Sequence, residues 1–215
     1  YDAAAQAIAA RLAKVTVGNP RNEAVRMGAL VNREQWQTVQ DGIAALSTQT
    51  EVLFDGRQAP LIAADPAAAA CVGPTLLGTR NPEAADKVHS LEVFGPCATL
   101  MPYRDTAQAA ALIRRGEGSL VCSLYGDDPA PLAAMATELA DSHGRVHVVT
   151  PDVAKLHSGH GNVMPQSMHG GPGRAGGGEE LGGLRALAFY QRRAAVQASP
   201  AAAAARSPAR LSRRH

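Results

Sequence analysis

Apolar and polar positions along the chain follow two periods, helical and alternating, and their order lays out the fold. Residues 2–14 (DAAAQAIAARLAK) carry apolar side chains at helical spacing, and Val15-Thr16-Val17 leads into a Gly18-Asn19-Pro20 turn. Residues 32–46 read as a second amphipathic helix with Asn32 as its N-cap. Glu51–Phe54 is a short strand closed by Asp55-Gly56, and the alanine-rich stretch 60–72 fits more than one state. Then come a strand at Cys97–Tyr103, a helix at Thr106–Arg115 and a strand at Ser119–Tyr125. A helix at Pro129–Ser142 and a valine-rich strand at Arg145–Thr150 continue the series. Strand, helix, strand, helix, strand at this spacing predicts βαβ units and a buried parallel sheet, so the fold class is α/β.

After Thr150 the periodicity stops until a last helix at about 179–193 and a short strand at Ala194–Gln197. A loop as long as 151–178 inside a compact domain is one that carries function or lacks order. From Ala198 the chain reads ASPAAAAARSPARLSRRH, which offers a core nothing to use. Residues 1–198 therefore form the folded part, and 199–215 are expected to be a disordered tail.

Composition narrows the partners. With 215 residues the chain can bury a substantial core. Aromatics at 4% provide no stacking platform for single strands, and the net charge of +2 provides no phosphate-binding face, so no nucleic-acid partner is expected. No run approaches the roughly 18 apolar residues of a membrane span, and no basic-then-hydrophobic leader is visible. Cys71, Cys97 and Cys122 are odd in number and lack CxxC spacing. They argue against a disulfide framework and a structural zinc site, and for a cytoplasmic location. His157 and His160 have no third ligand close in sequence and read as loop histidines; no metal is expected.

Two segments carry candidate chemistry. Residues 169–184, HGGPGRAGGGEELGGL, are dense in glycine and run straight into a helix. They lack the Lys-Ser/Thr ending of a P-loop and do not follow a strand in GxGxxG register, so a close-packed turn with glycines at positive φ is expected. Upstream, Glu92-Val93-Phe94-Gly95-Pro96 sets a carboxylate and an aromatic ring before a tight change of direction.

These segments resemble motifs of the NAD(P)-dependent aldehyde dehydrogenase superfamily, in order and at about the right spacing. Val17-Gly18-Asn19-Pro20 with Met27-Gly28-Ala29-Leu30-Val31-Asn32 is similar to the family's "GdP…mGPl" segment. Glu92 to Pro96 matches E-[IV]-F-G-P. Gly170-Gly171 through Gly178-Glu179-Glu180-Leu181-Gly182 is similar to "FGG-x-K-x-S-G-x-G-R-E-x-G", with Glu180 on the family's glutamate and Glu179 in place of its arginine. The likeness covers nearly all of residues 1–198 and implies an aldehyde dehydrogenase-like catalytic domain with a C-terminal helix and an oligomerisation strand.

The wording HGGPGRAGGGEELGGLRAL resembles one branch, the dehydrogenase half of bifunctional enzymes of bacterial phenylacetyl-CoA degradation, whose other half is an oxepin-CoA hydrolase. Dehydroadipyl-CoA semialdehyde dehydrogenases of benzoyl-CoA breakdown remain an alternative. Both imply a CoA-linked aldehyde as substrate, NADP or NAD as cofactor, and a homo-oligomer with intact relatives.

By this resemblance, Glu92 accepts hydrogen bonds from the nicotinamide ribose hydroxyls, and Phe94 packs against the nicotinamide. Gln35 matches a position that also reaches the ribose, although in the bare helical pattern it is a solvated residue. His169, where many relatives carry phenylalanine, and Gly170 would help to wall the substrate tunnel. The family's nucleophile lies in a G-Q-x-C segment that maps upstream of Tyr1, with the base and nucleotide-binding domain further upstream. None of the three cysteines aligns with it, so the catalytic residues are expected outside this chain and the isolated chain is expected to be inactive. A non-catalytic module that only packs against an intact relative is the other reading.

Overall fold

The computed structural model describes residues 1–156, 159, 164, 167, 169–178, 184–192 and 194–205. Helix α1 (Asp2–Leu12) leads to an irregular segment in which Val17 bridges Met27 and Gly18 bridges Ile62. Helix α2 (Arg33–Leu46) begins where expected: the Asn32 side chain accepts from Gln35 N. Its buried residues Val39, Ile43 and Leu46 fall on one face at helical spacing. With Val72, the first two form a core cluster on which Leu30, Trp36, Val93 and Cys97 pack.

Strand β1 (Glu51–Asp55) pairs antiparallel with β2 (Thr75–Gly78). Past the short helix α3 (Lys87–Ser90), strand β3 (Cys97–Leu100) runs parallel to β2, in the register Thr75↔Cys97 to Gly78↔Leu100. Helix α4 (Thr106–Arg114) is capped by Asp105, whose side chain accepts from Gln108 N. Strand β4 (Ser119–Tyr125), helix α5 (Pro129–Leu139) and strand β5 (His143–Val149) then form a βαβ unit, with β4 and β5 parallel. The α/β class holds, but the strands do not form one parallel sheet. Among the described residues they form a mixed sheet β1-β2-β3 and a separate pair β4-β5.

Strand β2 was not expected. All four of its residues are buried, so its TLLG run has no alternation to betray it. Strand β5 starts two residues before the expected Arg145, because its ladder begins at Ser119↔His143.

The glycine passage forms a small hairpin, β6 (His169–Gly170) against β7 (Gly177–Gly178), around a 3₁₀ turn at Gly173–Ala175. Helix α6 spans Leu184–Tyr190; Glu179, Glu180 and the rest of 179–183 lie outside the described residues. At 194–197 the expected strand is absent: these residues are exposed and have no regular structure. A strand needs a neighbour for its N–H and C=O groups, and no described segment runs beside them. The tail opens with helix α7 (Pro200–Ala204), capped by Ser199; residues 206–215 are not described. No described helix is long and apolar enough to cross a membrane.

Candidate cofactor-facing site

Helix α2 is the platform for the Glu92–Pro96 motif. Val93 packs on the core of Val39, Ile43 and Val72. It lies over Gly42, where an added Cβ would come 2.9 Å from Val93 Cγ2. Gly95 presses on the same helix: a Cβ there would stand 2.5 Å from Val39 Cγ2. Two tight turns carry the chain into β3, as Gly95 N–H donates to Val93 O and Cys97 N–H to Gly95 O, both at 2.8 Å. Thr75 N–H then donates to Pro96 O at 2.9 Å, which locks the motif to the start of β2.

Burial of Val93 directs its two neighbours the other way. Glu92 is exposed, and Phe94 is 73% exposed. A ring this exposed on an anchored turn leaves its face open to stacking. Among the described residues the Glu92 carboxylate has no hydrogen-bond or ion-pair partner, which leaves its oxygens free to accept. An unpaired acceptor two residues from an uncovered ring suits a ligand that combines hydroxyl groups with a flat ring.

Gln35 belongs to this site by contact. Its Nε2 donates to the Phe94 backbone carbonyl at 2.6 Å, across 59 residues of sequence. The same end of α2 is held from the other side, because Trp36 Nε1 donates to Cys71 O at 3.0 Å and Arg33 to Ala69 O at 3.0 Å. Sequence reading missed the two residues that seat the motif, Val39 and Gly42. The available signal was a glycine in the middle of an amphipathic helix, which costs about 1 kcal/mol against alanine and usually marks close packing.

His169 and Gly170 are placed elsewhere. Half-buried His169 pairs with Gly178, and buried Gly170 has φ +145°. The hairpin docks on the starts of β4 and β5 through close backbone approaches. A Cβ at Gly144 would fall 1.6 Å from Gly170 O, so only glycine permits this approach. Arg174 N–H donates to Glu117 O at 2.9 Å, and Arg174 Nη1 reaches His89 O at 3.3 Å, three residues before Glu92. That bond links the glycine passage towards the motif; among the described residues no hydrogen bond joins His169 or Gly170 to Glu92, Phe94 or Gln35.

The three cysteines are free thiols, Cys97 and Cys122 half-buried. Burial pushes the Cys97 thiol above its ordinary value, with Arg57 partly opposing, and burial does the same to Cys122. Catalytic thiols need the opposite shift. Cys71 is buried. Among the described residues no three His, Cys, Asp or Glu side chains gather to hold a metal ion, and His157 and His160 lie outside those residues.

Comparison with known proteins fixes the class. The aldehyde dehydrogenase family model matches residues 1–196, so the chain belongs to the aldehyde dehydrogenase family. The chain is 48% identical over 171 residues to a 3,4-dehydroadipyl-CoA semialdehyde dehydrogenase of Aromatoleum evansii, a match covering 79% of this chain and 33% of that protein. It is 46% identical over 175 residues to Protein MaoC of Klebsiella aerogenes, covering 81% of this chain and 51% of that one. A betaine aldehyde dehydrogenase double mutant of Staphylococcus aureus, solved with NAD+, shares the fold with a TM-score of 0.70 at 20% identity. It covers 86% of this chain and 34% of its own. The chain thus spans between a third and a half of the length of these curated relatives.

Proposed function

We propose that this chain forms the nicotinamide-facing and substrate-walling part of an NAD(P)-dependent aldehyde dehydrogenase. The enzyme oxidises a CoA-linked semialdehyde of aromatic catabolism to the acid. The observation that carries the reading is the pairing of the unpartnered Glu92 carboxylate with the uncovered Phe94 ring on one anchored turn.

A nicotinamide dinucleotide fits this donor set. Its ribose diol matches an acceptor-only carboxylate, and its flat ring matches an exposed phenyl face. When bound, such a cofactor supplies the hydride acceptor that aldehyde oxidation requires. The chain's residues orient and shield. Glu92 holds the ribose hydroxyls, Phe94 limits the tilt of the ring and excludes water from one side, and Gln35 lies within reach of the same ribose. His169 and Gly170 form part of the wall on the acyl side. Residues 1–198 act as the folded unit, with the segment around 194–197 packing on a second copy in a homo-oligomer. The covalent and acid–base steps fall to residues that this chain does not provide.

The choice of a CoA-linked semialdehyde rests on the relative from Aromatoleum evansii and on the wording of the glycine passage. Phenylacetate-derived 3-oxo-5,6-dehydrosuberyl-CoA semialdehyde and 3,4-dehydroadipyl-CoA semialdehyde are the two substrates to compare. The test is to supply the full-length protein with each, with NAD+ or NADP+, and to follow cofactor reduction by absorbance. Turnover of either CoA ester at least tenfold above that of the CoA-free aldehyde is the expected result, corresponding to about 1.4 kcal/mol of differential transition-state binding. Equal turnover of free and CoA-linked aldehydes would overturn the substrate class. No reduction of either nucleotide would favour the packing-module reading.

A further inference from the structure

The Asn32…Gln35 spacing is that of a capping box, in which the glutamine at the third helical position turns back to the N-cap backbone N–H. Only half of the box is formed: Asn32 Oδ1 accepts from Gln35 N at 2.8 Å, while the Gln35 side chain leaves the helix and donates to Phe94 O at 2.6 Å. The direction of this bond is unambiguous, because a backbone carbonyl only accepts, so the amide nitrogen must face it.

We infer that Gln35 is a positioning residue, a tether that holds the backbone of the Glu92–Pro96 turn. The inference rests on the cofactor reading above and deepens it. Three observations support it. One N–H of the Gln35 amide is committed to Phe94 O at a distance shorter than the usual amide hydrogen bond. Phe94 O has no other partner among the described residues, so without Gln35 the turn between two γ-turns would lose its one side-chain restraint at that carbonyl. The helix end that carries Gln35 is itself fixed by Arg33 to Ala69 O and Trp36 to Cys71 O, so the tether has a rigid anchor. A loosened turn would let Phe94 and Glu92 sample other directions, and the entropy of ordering them would be paid at cofactor binding.

Gln35→Glu separates the tether from a direct contact. A carboxylate keeps the size and can still accept from a ribose hydroxyl, but it cannot donate to Phe94 O and repels it. At this helical position glutamate also completes the capping box and suits the helix dipole, so α2 is not weakened. Gln35→Lys restores a donor without an acceptor.

In the full-length protein without cofactor, Gln35→Glu is expected to raise hydrogen exchange in the 91–97 peptide about tenfold while the melting temperature stays within a few degrees. Titration with NADPH and NADH by fluorescence should show binding weakened about tenfold, with Gln35→Lys recovering most of it. Wild-type exchange and binding in Gln35→Glu would overturn the tether. So would a loss in Gln35→Lys equal to that in Gln35→Glu. Glu92→Gln serves as the reference for the underlying reading. If it weakens binding while Gln35→Glu does not, the tether fails and the cofactor site stands. If neither variant changes binding, the cofactor reading itself fails.

Discussion

At the scale of single residues, the site depends on a contact that leaves room for no extra atom. Gly95 is not at positive φ; its constraint is space, since a methyl there would meet Val39 Cγ2 at 2.5 Å. Val39 is 1% exposed, so it cannot rotate away without opening the core. Gly95→Ala should therefore cost about 1–3 kcal/mol, the usual range for overpacking. Val39→Ala alone should destabilise by leaving a cavity. In the double variant the new methyl occupies that space, so its loss should be smaller than the sum by about 0.5–3 kcal/mol. Urea unfolding of the four proteins measures the cycle. Strict additivity would mean that Gly95 and Val39 do not meet in solution as described.

At the scale of elements, the glycine passage differs from a ligand cradle because Gly170, Gly171 and Gly173 are used up by close packing on backbone. The Cβ position of Gly144 lies 1.6 Å from the Gly170 carbonyl, and a backbone oxygen cannot change rotamer to make way. Gly144→Ala should free the hairpin of β6 and β7 from β5. Limited proteolysis should then cut within 169–178 well before cutting β4 or β5. Gly28→Ala is the control, since its new methyl would only touch Pro20 Cγ at an ordinary 3.6 Å. Equal cleavage of the two variants would show that the hairpin is not held in this way. The elements that local sequence revealed are those with local causes. Asn32 and Asp105 cap their helices through bonds to Gln35 N and Gln108 N, three residues on, and strand β4 was placed to the residue. Elements with distant causes were not legible. Strand β2 exists because β1 and β3 flank it, the start of β5 is set by the ladder to β4, and 194–197 forms no strand because no described segment flanks it. The candidate site divides along the same line. Glu92 and Phe94 were visible as a contiguous motif, whereas the Gln35 contact spans 59 residues and follows no period.

At the scale of the whole molecule, the described surface has an apolar character: Phe94, Tyr103, Tyr125, Leu184, Leu187 and Tyr190 are each more than half exposed. The mixed sheet β1-β2-β3 and the pair β4-β5 take the place of one continuous sheet, so each leaves edge strands unpaired among the described residues. An exposed apolar surface of this kind marks a face that packs against other protein. The isolated 215-residue chain should therefore bind a hydrophobic dye strongly, melt with low cooperativity and oxidise no aldehyde with either nicotinamide nucleotide. The full-length protein should bind the dye weakly and unfold in a sharp transition. Dye fluorescence and calorimetry on both proteins at equal concentration provide the comparison. A monomeric isolated chain with a sharp, dye-free transition would show that these residues close their own surface, and the packing argued from α6, Phe94 and the separate sheets would have to be abandoned.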